Sequence, residues 1–242
     1  QSRYDLLNAR VQAQQKQIAA IQEAINQKNL AQTQSQVEQV QQQSQSAVKN
    51  PFIQKELDLN AQLSQYLLEQ TAKTNTLTQD ELRMRNVLDN LTQTQRTIDE
   101  QISALQGTLV LSRIIQQQKQ KLPTNLNIQG LSKQIADLRV KIFDITQKRN
   151  ELYDIDVYIS KIEQDENKSF TPTEKAQLAS LLTERRKVAS DLIKSLNNQL
   201  NLAISLELTQ QQITQISDQI QSKLDQQSFW VKSNNPINLD WF

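Results

Sequence analysis

The sequence predicts an all-α fold: an elongated antiparallel coiled-coil bundle of about four long helices with an extended aromatic C-terminal tail. Three kinds of observation predict it. Glycine occurs twice and proline four times in 242 residues, so the chain has few places to turn. About one residue in six is glutamine, a good helix former, while hydrophobics make up 37% and aromatics only 5%. The apolar residues recur at steps of three and four, the spacing of a narrow helix seam. Thin Leu/Ile seams on long elements suit coiled coils better than a compact core.

The pattern divides residues 1–227 into helices at about 2–48, 51–122, 131–163 and 172–227, followed by a tail at 228–242. In the first helix, Leu7, Val11, Ile18, Ile21 and Ile25 form the seam, with Gln14 filling one seam position. Beyond Lys28 the pattern thins into glutamine-rich sequence anchored by Val37 and Val40, which predicts a loosely held, exposed half. Asn50-Pro51 marks the second start, because Asn caps and Pro at the first position loses no needed hydrogen bond.

The clearest stripe of the second helix is Met84, Leu88, Leu91, Gln95, Ile98, Ile102, Leu105 and Leu109, with a looser one upstream at Ile53, Leu57, Leu63 and Leu67. Thr78-Gln79-Asp80-Glu81 matches a capping box, so the helix either restarts near Leu77 or runs straight through. From Gly107 to Pro123 the apolar residues stop striping the helix. Leu109, Val110, Leu111, Ile114 and Ile115 surround it, which predicts burial on more than one side and the centre of the assembly. Gly107 within this pattern allows a close crossing or a kink, or is simply tolerated.

Pro123 ends that helix, and residues 124–130 connect to the third. Its repeat is Leu131, Ile135, Leu138, Ile142, Ile145, Leu152, Ile155, Ile159 and Ile162, with Arg149 falling on the seam. Thr171-Pro172-Thr173-Glu174 then reads as a strong start: Thr cap, Pro first, Glu reaching back. The fourth helix runs through Leu178, Leu182, Ala189, Leu192, Leu196, Leu200 and Ala203, then Ile213, Ile216, Ile220 and Leu224. Short connectors favour antiparallel neighbours.

Composition excludes several function classes. With 27 basic and 26 acidic residues interspersed, there is no electrostatic footprint for nucleic acid or an anionic membrane. Histidine and cysteine are both absent, which removes thiol nucleophiles, imidazole acid–base work and the commonest metal ligands. No run approaches the roughly 18 apolar residues of a membrane span, and the start does not read as a signal peptide. The chain reads as soluble, or as a soluble piece of something larger.

The remaining motifs have bland readings. Glu163, Asp165, Asn167 and Glu174 fall at EF-hand-like spacing, but Lys168 stands where the loop needs Gly, and Glu174 is explained by the capping box. Asp154 and Asp156 lie two apart on a helix and point in different directions, so they read as a solvated face beside Tyr153. Arg185-Arg186-Lys187 reads as a solvated flank, and Asn90 and Asn167 open chance glycosylation patterns. No catalytic, cofactor-binding or metal residue is assigned, no small-molecule substrate is evident, and no cofactor is expected.

The tail is the strongest anomaly. Phe229, Trp230, Trp241 and Phe242 crowd the last fourteen residues. These rings either fold back onto the bundle end or mark the approach to a bilayer, where Trp prefers the headgroup level.

Gly107–Ile114 (GTLVLSRI) with Leu122-Pro123, Ile135-Ala136-Asp137-Leu138-Arg139, and Phe229-Trp230-Val231-Lys232-Ser233-Asn234 followed by Pro236 and Asp240-Trp241 occur in a telling order. Together they resemble the periplasmic coiled-coil (porin-like N-terminal) region of the large mechanosensitive channels of the MscS superfamily, of the MscK type. The resemblance spans about Met84 to Phe242, and residues 1–83 fit only as generic coiled coil. It implies the periplasmic portion of a bacterial inner-membrane channel that opens under bilayer tension in hypo-osmotic shock. It further implies transmembrane and pore domains downstream in the same polypeptide, homo-oligomerisation through those parts, and no enzymatic activity. A structural or gating-modulatory role, including contact with the cell wall, would fall to this region. The alternative is a free-standing coiled-coil scaffold or tether.

Overall fold

The computed structural model describes residues 2–45, 50–106, 108–123 and 128–233. Among these the chain is all-helical, with six helices: α1 (Ser2–Ser44), α2 (Pro51–Leu105), α3 (Leu109–Lys121), α4 (Leu131–Glu151), α5 (Ile155–Asp165) and α6 (Pro172–Ser233). Two of the four expected helices are therefore each divided, for local reasons.

The break after α2 lies at Leu105–Leu109, not near Leu77. Thr78 does not cap, because its hydroxyl donates back to the Thr74 carbonyl (2.9 Å), and Glu81 is buried and accepts from Ser205 (3.1 Å). The helix passes through. Thr108 is the extended residue before α3, and its hydroxyl too bonds backward, to the Leu105 carbonyl (2.7 Å). Gly107 lies outside the described residues. At the far end of α3, Leu122 is extended (φ −63°, ψ 133°), as the residue before a proline must be when the Pro ring blocks the helical region.

The break between α4 and α5 follows Arg149, the charged seam residue. The Leu152 and Tyr153 amides turn back onto the Arg149 and Asn150 carbonyls, and Asp154 caps α5 by accepting from the Val157 amide (3.1 Å). Just beyond the break Leu152 is buried. Asp154 is thus a cap instead of part of a solvated helical face.

Residues 228–233, expected in the extended tail, are helical and belong to α6. The rest of the tail, 234–242, lies outside the described residues, as does 124–127 of the connector.

The chain forms two compact units: Gln1–Gln79 with Ser132–Ala203, and Asp80–Leu131 with Ile204–Phe242. In the first, α1 runs antiparallel to α2, since Asn75 donates to the Asn26 carbonyl and Gln54 to the Ser44 carbonyl. The loop between α5 and α6 turns the chain back: Lys175 pairs with Glu163, and Arg186 donates to the Leu152 and Tyr153 carbonyls. The segments of α2 and α6 in this unit instead run parallel, with Asn60 donating to the Leu181 carbonyl and Thr74 meeting Ser195, each pair 121 residues apart. Parallel helices need a return passage between them, and residues 132–165 supply it here.

The core of this unit gathers Ile53, Leu57, Leu152, Ile159, Phe170, Leu178, Leu181 and Leu182, with Phe52 tilted on Phe170 at 5.3 Å. Each fully buried leucine contributes roughly 1.5–3 kcal/mol. In the second unit α2 and α6 are again parallel: Glu81–Ser205, Gln95–Gln219 and Asp99–Lys223 all lie 124 residues apart. Here α3 buries Leu111 and Ile115 but exposes Val110, so it packs by one face instead of being surrounded.

The largest difference from expectation lies in α1. The glutamine-rich half is the packed one, with Val37 and Val40 each only 4% exposed. The well-patterned half, Leu7 to Ile25, faces solvent.

Candidate functional site

The chemistry-bearing residues of the first unit converge on the α2–α6 seam. The seam of α6 steps by four and three through Leu178, Leu182, Arg185, Ala189, Leu192, Leu196 and Gln199. That of α2 steps likewise through Ile53, Leu57, Asn60, Ser64 and Leu67. Polar residues therefore occupy positions where a coiled coil wants apolar ones.

Arg185, Asn60 and Gln199 each find a partner across the seam. Arg185 forms an ion pair with Glu56 (2.6 Å), donates through Nε to Asn60 Oδ1 (2.8 Å) and reaches the Glu56 carbonyl (3.0 Å). The Asn60 amide in turn donates to the Leu181 carbonyl (2.9 Å). The two charged side chains are 16% and 9% exposed, so their attraction is only weakly screened. Farther along, Gln199 donates to the carbonyl of Gln70 (2.8 Å) and to its side-chain oxygen. Tyr158 lies close to the charge cluster. Burial, reinforced by Glu56 and opposed by Arg185, holds its phenol above the ordinary tyrosine value.

Beside this ladder α1, α2 and α6 leave a groove of about 580 Å³. Its floor includes Val37, Val40, Leu67 and Ala179, and its rim carries Glu184, Lys187 and Asp191. The Ser64 hydroxyl is buried beside it without a hydrogen-bond partner among the described residues. A lone serine with no neighbouring base is not an activated nucleophile.

In the EF-hand-like window, both glutamates are engaged in local structure. Asn167 takes a left-handed conformation (φ 50°), with its amide on the Gln164 carbonyl and the Lys168 amide on the Glu163 carbonyl, which together close a Schellman cap on α5. Glu163 accepts from the Phe170 amide (2.9 Å). Glu174 accepts from the Thr171 amide (3.0 Å) and from Asn50 (2.7 Å), while its own amide donates to the Thr171 hydroxyl. The Phe170 amide and Lys175 draw Glu163 below the ordinary carboxylate value, and the Thr171 amide and Asn50 do the same for Glu174. Among the described residues no three acidic side chains gather as a metal site.

The arginine run is where the sequence reading goes astray. Arg185 and Arg186 were expected on a solvated flank, yet one is buried in the ladder and the other donates to the last carbonyls before α5. Counting the heptad strictly through polar residues, instead of skipping them, would have placed Arg185, Gln199 and Asn60 on their seams. In the second unit buried Glu81 pairs with exposed Arg85, and Lys119 pairs with Asp225 nearer the surface. Among the described residues the geometry supports register and rigidity, and no reactive constellation forms.

No family model matches the chain. Over its full length it is 80% identical, across 241 residues, to an uncharacterized MscS family protein of Haemophilus influenzae. It is 35% identical, across 243 residues, to Mechanosensitive channel MscK of Escherichia coli. The chain spans 22% of the length of each relative.

Proposed function

We propose, from the premise that its full-length homologues are MscS family proteins, that this chain is the periplasmic, extramembrane part of a mechanosensitive channel in a bacterial inner membrane. The observation that carries the reading is a match covering the whole chain in two relatives, one of them named for mechanosensation. It accords with the resemblance of the GTLVLSRI and FWVKSN segments. It also accords with the finding that, among the described residues, no helix is long and apolar enough to cross a membrane.

In this reading the natural-length protein opens under membrane tension during hypo-osmotic shock and assembles as a homo-oligomer through its transmembrane and pore domains. The present region is structural or gating-modulatory. Its physical contribution is stiffness. Long helices locked in parallel register by buried polar bonds resist sliding, because a one-turn slip would strand Arg185, Glu56 and Asn60 without partners. Such an element passes force along its axis instead of absorbing it.

The test is to delete residues 1–222 from the natural-length protein and record its currents in membrane patches. A shifted tension threshold or altered conductance is expected. Unchanged threshold, conductance and assembly would remove the modulatory role. A phosphatase fused after Ser233 should be active only if this region faces the periplasm.

A further inference from the structure

The N-terminal half of α1 carries a complete coiled-coil seam that no described residue covers. Leu7, Val11, Ile18, Ile21 and Ile25 are between 46% and 64% exposed, and Gln14 completes the alternation of four and three. We propose that this seam is an interface for a second copy of the same chain, pairing with the identical seam in parallel and in register. The inference goes beyond the channel reading and stands without it, since it places a copy-to-copy contact in this region itself.

Three features select that occupant. The first is the spacing: β-branched Val11, Ile18 and Ile25 fall on one set of seam positions, and Leu7, Gln14 and Ile21 on the other. Within a parallel coiled coil, β-branched residues at the first set favour pairing of two strands when leucine occupies the second, as Leu7 does. The second is Gln14. In a parallel, in-register pair the two Gln14 amides face each other and exchange hydrogen bonds, as single polar seam residues do when they fix register. In an antiparallel pair the same amide would be buried against an isoleucine. The third is charge. The positions flanking the seam are Asn8, Arg10, Gln15, Gln17, Gln22 and Ala24, so two identical copies meet with almost no like-charge opposition.

The helix also has reason to be partnered. An amphipathic segment with an unburied apolar face gets no tertiary support, and helices in folded proteins owe most of their stability to such support. The packed half, anchored by Val37 and Val40, holds the exposed half in extension for pairing.

The chain contains no cysteine, so single introduced thiols report the contact cleanly. In the 242-residue chain, Gln14→Cys should form an intermolecular disulfide under mild oxidation on the order of ten times faster than Lys16→Cys, which lies off the seam. Light scattering should show self-association that Ile18→Asp with Ile21→Asp abolishes while circular dichroism shows α2 to α6 still folded. A monomer at concentrations up to roughly 1 mM overturns the proposal. So does equal cross-linking at Gln14→Cys and Lys16→Cys, or a preference for Leu7→Cys joined to Ile25→Cys, which would mean antiparallel pairing. A monomer in which Ile18→Cys is shielded from thiol reagents also overturns it, because another part of the same chain would then occupy the seam.

Discussion

Replacing Arg185 by methionine is the sharpest perturbation of the ladder. The side chain holds an ion pair to Glu56 at 2.6 Å and hydrogen bonds to Asn60 at 2.8 Å and to the Glu56 carbonyl at 3.0 Å. Removing one partner of a buried ion pair costs about 3–5 kcal/mol, since the remaining charge keeps its desolvation penalty and loses its compensation. Residual solvent access at 16% and 9% exposure trims this, so about 3 kcal/mol is expected for R185M. In the double variant E56M/R185M no charge is left buried. Only Asn60 Oδ1 is orphaned, at about 1 kcal/mol, while the Asn60 amide keeps the Leu181 carbonyl. The double variant should therefore be more stable than the single one by about 2 kcal/mol. Urea unfolding followed by far-ultraviolet circular dichroism at neutral pH measures both. If R185M lies within about 0.5 kcal/mol of the parent, or the double variant is no more stable than R185M, the ladder does not hold α2 against α6.

Two further outcomes follow from the α5–α6 loop. The carboxyls of Glu163 and Glu174 are depressed in the folded state, by the Phe170 amide and Lys175 in the one case and the Thr171 amide and Asn50 in the other. Their stabilisation is present above the unfolded value of about 4.3 and is lost as pH falls below it, so the melting temperature should drop through that window. E163Q should flatten part of the drop in a pH series of thermal melts, and an unchanged slope would disprove the assignment. Separately, Asn167 sits at φ 50°, which β-branched residues resist. Asn167→Val should cost about 1–2 kcal/mol and Asn167→Gly should be neutral or slightly stabilising, as read by the same melts.

Much of the helical content was legible because helix patterning is local. The capping box at Thr171–Glu174 and the seam from Leu131 to Leu138 formed as their residues dictate. The break at Leu105–Leu109 was legible only as one option among others, the kink that Gly107 allows. Thr78 and Thr108 both turn their hydroxyls back onto preceding carbonyls, and in the helix interior after Thr78 the capping-box Glu81 is buried against Ser205. The ladder was missed for a related reason. A stripe read from apolar residues passes over Arg185, Asn60 and Gln199, although strict heptad counting includes them.

The sequence by itself determined that this chain is helical and where its seams lie, because steps of three and four along one strand decide which residues share a face. It also carried the likeness to MscS family channels, through order and spacing that survive without any reactive motif. Only the tertiary structure decided which seams are filled. The long α2–α6 pairing proved parallel, with residues 132–165 returning between the segments of the first unit. The poorly patterned half of α1 found a partner surface, while the well-patterned half did not. A seam's burial depends on what another part of the chain, or another chain, presents across it, and no single helix encodes that.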